Sequence, residues 1–147
     1  MLISFDKGME LGNELIDAQH RMLIMLLKKL DIALKQQLPH KMIMGILLEI
    51  KKFTEFHFLC EENLMYELKY PEAVKHERIH SGLLFQLELI IAKVNQKQMF
   101  ADETLDMLYK WIVIHAMHED AKIVDHIKSC GFLPVGGEQH GLYQSDT

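Results

Sequence analysis

Apolar residues recur every three to four positions through four long blocks of this chain, and that period confines it to α-helix. Ile16, Leu23, Leu27, Leu30 and Leu34 mark the first block, over about residues 13–37. The second, about 40–68, runs through Ile43, Ile46, Ile50, Phe53, Leu64 and Leu68. Ala73, Leu83, Leu87, Ile91 and Val94 carry the third, about 72–95, and Leu105, Leu108, Ile112, Ile123 and Ile127 the fourth, about 102–128. Pro39 and Pro71 fall between blocks, where a residue without an amide donor ends or starts a helix. Asp102 with Thr104 reads as a cap for the fourth helix, and Gly131 sits where its C-terminus would want a glycine. No alternating β pattern with turn dipeptides interrupts the series. Four helices of about 35 Å joined by short connections predict an all-α, up-down-up-down bundle with a non-helical N-terminal arm. Residues 1–132 read as the domain, and 133–147, polar and glycine-rich, as a tail or the start of a linker.

Composition narrows the function classes. Hydrophobic residues make up 49% of the chain, enough to bury a core, so wholesale disorder is excluded. A formal charge of −5 without a basic block argues against nucleic acid as a partner. No apolar run approaches a membrane span, and Asp6 and Lys7 interrupt the start before a signal peptide could form. Cys60 and Cys130 cannot make a disulfide framework and fit a reduced compartment, so the expected location is cytoplasmic.

The nine histidines carry the chemistry. His20 lies on the line Ile16, His20, Leu23, Leu27; His57 and Glu61 continue Ile50 and Phe53 towards Leu64. His76 and His80 are flanked by Ala73, Leu83 and Leu87, while His115 follows Ile112, with Asp120 five residues on. Five imidazoles and two carboxylates therefore face one interior. One imidazole on an apolar face is usually a satisfied core residue, but seven unpartnered polar groups would each cost several kcal/mol to bury. Residues i and i+4 stand about 6 Å apart on one helix face and can reach one metal or two adjacent ones. Mixed imidazole and carboxylate suits iron, zinc, manganese or copper, and seven ligands are too many for one ion.

His20, His57-x-x-x-Glu61, His76-x-x-x-His80 and His115-x-x-x-x-Asp120 resemble the ligand set of the hemerythrins, non-haem di-iron oxygen carriers, and specifically their bacterial members. Local matches support it: Ile16-Asp17-x-Gln19-His20, His57-Phe58-x-x-Glu61-Glu62 with Met65 beyond, and Trp111 four residues before His115. The likeness spans about residues 3–132. It departs at Phe5, where bacterial relatives commonly have tryptophan, and after Asp120, which lacks the usual lysine-rich stretch with tyrosine. The resemblance implies His76, His80 and His115 on one iron and His20 and His57 on the other. Glu61, Asp120 and a solvent-derived oxo or hydroxo group would bridge them, and dioxygen would bind at the iron with fewer ligands. It also implies an apolar lining that excludes water, for which Leu23, Phe58, Leu84, Trp111 and Ile112 are the candidates.

Other readings compete at single positions. His118 and Glu119 stand three and four residues from His115 and rival Asp120 on ideal geometry; the family pattern favours Asp120. His40 and His140 read as solvated, and His126 as a contact to a helix C-terminus. Cys60 reads as a small hydrophobe and the methionines as packing residues. A ferritin-like oxygen-activating enzyme needs two Glu-x-x-His motifs; only Glu77-x-x-His80 fits, so binding without turnover is expected. A sensor feeding a fused or partner signalling output domain is the alternative role. Finally, a regular helix points His115 and Asp120 about 140° apart, so a π-bulge or distorted turn is expected between them.

Overall fold

The computed structural model describes residues 3–98 and 101–131. Three uninterrupted helices, α1 (Glu14–Lys35), α2 (His40–Glu67) and α3 (Ala73–Asn95), alternate in direction. The fourth rod consists of α4 (Ala101–His115), a π-helical turn (Ala116–Asp120) and α5 (Ala121–Ser129). α1 packs against α2 and α4, α2 against α3, and α3 more lightly against α4, which closes an all-α four-helix bundle. Among the described residues no strand occurs and no helix is long and apolar enough to cross a membrane.

The helices begin and end for local reasons. Asn13 caps α1, its side-chain oxygen accepting from the Ile16 amide at 3.0 Å. Asp17, one turn in, ties the arm to the helix by accepting from the Leu11 and Gly12 amides at 2.8 and 3.1 Å. The arm is not wholly irregular: Lys7–Met9 form one 3₁₀ turn capped by Asp6. α4 begins at Ala101, which places Asp102 and Thr104 inside its first turns, Thr104 buried. Gly131 follows the last helix at φ +74°, as its position suggested. The boundary at 132 and the tail 133–147 lie outside the described residues.

Apolar packing divides into two cores stacked along the bundle axis. One gathers Leu23, Leu27, Leu30, Ile46, Leu47, Ile50, Leu87, Leu108 and Ile112; the other gathers Ile16, Leu64, Met65, Ala73, Ile123 and Ile127. Each of the four rods contributes to both, and the residues that each places between the two are His20, His57 with Glu61, His76 with His80, and His115 with Asp120. The functional candidates thus form a polar slab between two dry cores. The methionines depart from the packing expectation: Met65 is fully buried, but Met22, Met25, Met42 and Met107 are exposed.

α1, α2 and α3 each leave their last turn through a left-handed residue that is not glycine: Gln37 (φ 53°), Lys69 (φ 54°) and Lys97 (φ 58°). At each the following amide reaches back five residues, Leu38 to Ala33 at 3.0 Å, Tyr70 to Met65 at 2.9 Å and Gln98 to Lys93 at 2.8 Å. A Cβ in that conformation costs about 1 kcal/mol, which glycine avoids. Lys69→Gly is therefore expected to raise the unfolding free energy by up to about 1 kcal/mol in urea denaturation. A loss of stability would show that the Lys69 side chain contributes more than its backbone strain costs.

Candidate metal centre

Seven side chains meet in the slab. The ligand-capable atoms of Glu61, His76, His80, His115 and Asp120 all lie within 4.8 Å of one another, and so do those of His20, His57, Glu61 and Asp120. Glu61 and Asp120 belong to both sets and stand between them. All seven residues are buried, Asp120 fully. His80 Nε2 lies 3.0 Å and His76 Nε2 3.4 Å from Glu61 Oε2, and His115 Nε2 lies 3.0 Å from Asp120 Oδ1. On the other side His20 Nε2 is 2.8 Å from Asp120 Oδ2, and His57 Nε2 is 3.2 Å from Glu61 Oε1.

His20 Nε2 and Asp120 Oδ2 are hydrogen-bonded, but most of this proximity is not hydrogen bonding. Both oxygens of Glu61, Oδ1 of Asp120 and the Nε2 atoms of His76, His80 and His115 are buried without any hydrogen-bond partner. Left so, each would cost on the order of 1–3 kcal/mol. A metal between them satisfies all at once, and borderline N/O donors in this number suit first-row divalent ions. The donor set fits two such ions.

Electrostatics points the same way. Burial pushes the Glu61 carboxyl well above its ordinary range, and the Asp120 charge pushes it further. Burial also acts to raise Asp120, but contacts from His115, His20, His57 and His76 outweigh it and hold that carboxyl well below its ordinary range. His80 is driven down to about 2, first by burial and then by repulsion from His76 and His115. His76 is raised although burial opposes it, because Asp120 and Glu61, each with an oxygen 3.4 Å from its Nε2, favour its charged form. Neutral imidazole and anionic carboxylate are the forms that bind metals, so an ion favours the charged form of Glu61 that burial opposes.

Local structure sets each side chain. His57 Nδ1–H donates to Gln19 Oε1 at 2.6 Å and His80 Nδ1–H to Glu62 Oε1 at 3.0 Å, which leaves both Nε2 lone pairs to the cluster. Phe58 stacks flat on His80, centroids 3.8 Å apart, and meets His115 edge-on at 5.4 Å. The π-helical turn at Ala116–Asp120 brings Asp120 to the side of His115, which a regular helix would not. His118 is exposed and outside both sets, and Glu119 pairs with Lys122. His126 Nε2 lies 2.9 Å from the Leu68 carbonyl at the end of α2, a helix-terminus contact on another helix than its own.

A cavity of about 10 Å³, room for one water-sized molecule, opens beside the cluster. His20, His57, His115 and Asp120 border it, and Leu23, Thr54, Phe58, Trp111, Ile112 and Ala116 supply the rest of its wall. Of the expected lining, Leu84 lies outside this set, half-buried on α3. Thr54 and Ala116 were not foreseen. The Thr54 hydroxyl bonds the Ile50 carbonyl at 2.8 Å, so a residue that looks polar in the sequence has no spare donor here.

A four-helix bundle with a buried cluster of imidazoles and carboxylates between two apolar cores defines a helical-bundle protein with a candidate metal centre. The sequence matches the family described as Hemerythrin HHE cation binding domain over residues 11–127, and the chain belongs to that family. A protein named Bacteriohemerythrin from Stenotrophomonas maltophilia is 27% identical over 128 residues, 87% of this chain and 83% of its own length. Namesakes from Campylobacter jejuni and Clostridium acetobutylicum are each 30% identical, over 122 and 121 residues. These cover 82% and 79% of this chain and 92% and 94% of their own lengths. Hemerythrins are non-haem di-iron, oxygen-binding proteins, and the cluster here could bind metal.

Zinc, which has no redox chemistry, tests the proton argument. Titrated at pH 7 in two buffers of different ionisation enthalpy, the metal-free protein is expected to release more protons than Glu61→Gln does. Equal release would show that the Glu61 carboxyl is already ionised before metal arrives.

Proposed function

We propose that this chain binds dioxygen reversibly at a di-iron centre. His76, His80 and His115 would hold one iron and His20 and His57 the other, with Glu61 and Asp120 available to both. A pair of ferrous ions held there would supply the redox chemistry for reversible dioxygen binding. The observation that carries the reading is an asymmetry. The cavity touches both imidazoles of the two-histidine half, His20 and His57, but only His115 of the three-histidine half. The half with fewer protein ligands thus lies more fully against the small open space.

The protein's part is binding and exclusion. Leu23, Phe58, Trp111 and Ile112 present apolar surface to the space, which disfavours water. Five imidazoles with two carboxylates, instead of a carboxylate-rich set, favour reversible binding over oxygen activation, so the reading is of a carrier or scavenger, not an enzyme. Cys60 and Cys130 are both free thiols, in keeping with a cytoplasmic setting.

Purified protein is expected to hold close to two irons per chain and to show oxo-bridge charge-transfer absorption when diferric. One zinc per chain, or no iron after anaerobic reconstitution, overturns the reading. The ferrous form is expected to colour with oxygen and bleach on its removal; steady oxygen consumption with a reductant and an organic substrate would instead mark an oxygenase. Glu61→Ala is expected to lose more iron than His118→Ala, since only Glu61 lies in the cluster.

Ile112→Ala enlarges the wall of the cavity, and water entering there is expected to speed oxidation of the oxygenated protein. An unchanged rate would mean that Ile112 does not keep water out.

A further inference from the structure

The two halves of the cluster differ behind the ligands as well as in their number. A ligating imidazole is oriented and made more basic by whatever accepts its second N–H. In the three-imidazole half, His80 donates to a carboxylate, Glu62, at 3.0 Å. In the two-imidazole half, His57 donates to a neutral amide, Gln19, at 2.6 Å, and His20 Nδ1 is buried with no partner at all. A second carboxylate, Glu77, held by the Tyr66 hydroxyl at 2.5 Å, adds negative charge near Glu62. Among the described residues no anion is hydrogen-bonded to Gln19, which is itself buried.

We infer that Glu62 and Gln19 are positioning residues that make the halves unequal: the carboxylate behind His80 makes the three-imidazole half the tighter metal holder, and the neutral amide behind His57 leaves the two-imidazole half the first to be emptied. The inference rests on the di-iron reading above and adds an order of metal loss set by two residues that touch no metal. Both residues are placed by the same helical register as the ligands, Gln19 directly before His20 and Glu62 directly after Glu61.

Anaerobic ferrous protein mixed with excess chelator tests it by the time course of iron release. The parent is expected to release iron in two phases of equal amplitude. Glu62→Gln keeps an oxygen acceptor and removes the charge, so it is expected to speed the slow phase about tenfold and leave the fast one unchanged; Glu62→Ala is expected to speed it by about 10- to 100-fold. Gln19→Glu is expected to slow the fast phase. Nitrogen NMR of the metal-free protein gives a second readout, with His80 kept as its Nδ1–H tautomer in Glu62→Gln and not in Glu62→Ala. A parent holding two irons whose phases do not respond to Glu62→Gln and Glu62→Ala, or whose fast phase alone responds, overturns this inference and leaves the di-iron reading intact. A parent that binds no iron overturns both.

Discussion

Burying two carboxylates side by side among five imidazoles is the constraint on which the rest of this bundle depends. Glu61 and Asp120 are withdrawn from water; neighbouring imidazoles offset that cost at Asp120, but neither oxygen of Glu61 finds a hydrogen-bond donor. Histidine does not resolve the conflict, because the same burial drives His80 far below its ordinary range and keeps it neutral. Only cations in the slab relieve both sides together. Helix lengths, core division and the irregular fourth rod can all be understood as the means of holding this slab at one level.

The two apolar cores do that holding. Each helix crosses from one core to the other and sets its polar residues where it crosses, so sliding any helix would pull apolar surface out of one core or drive charge into the other. The division also separates tasks. The core around Leu27, Leu47 and Ile50 is dry and continuous with the wall made by Leu23 and Ile112, so the packing that stabilises the bundle also keeps water from the cavity. The smaller core, with Ile16, Met65 and Ile123, fastens the arm and the ends of α2 and α5 below the site.

Much of this was legible from spacing alone. The helical period located all four rods, and the seven candidate side chains stood out because charged groups on an apolar stripe demand a reason. What spacing could not supply were contacts between helices. Gln19 and Glu62 are visible in the sequence beside His20 and Glu61, yet nothing in one helix shows that Gln19 reaches His57 on the next, or that Glu62 reaches His80. Leu84, one turn beyond His80 on α3, lies outside the wall of the cavity for the same reason. The exposed methionines show the limit of periodicity for a residue soft enough to sit on either face.

The fourth rod shows how a local irregularity can be written in a sequence. Leu105, Leu108, Ile112 and His115 keep helical spacing, and unbroken spacing would carry that stripe on to Glu119, Lys122 and His126. All three are polar. The buried stripe instead resumes at Asp120 and continues through Ile123 and Ile127, one residue late. A π turn at Ala116–Asp120 absorbs that one-residue slip, since each of its bonds spans one residue more than an α-helical bond. The turn therefore does two things with one irregularity. It carries Asp120 to His115, and it resets the phase so that α5 still meets the smaller core. Removing one residue between them would restore a regular helix, but it would give up the five-residue spacing that sets the bridge.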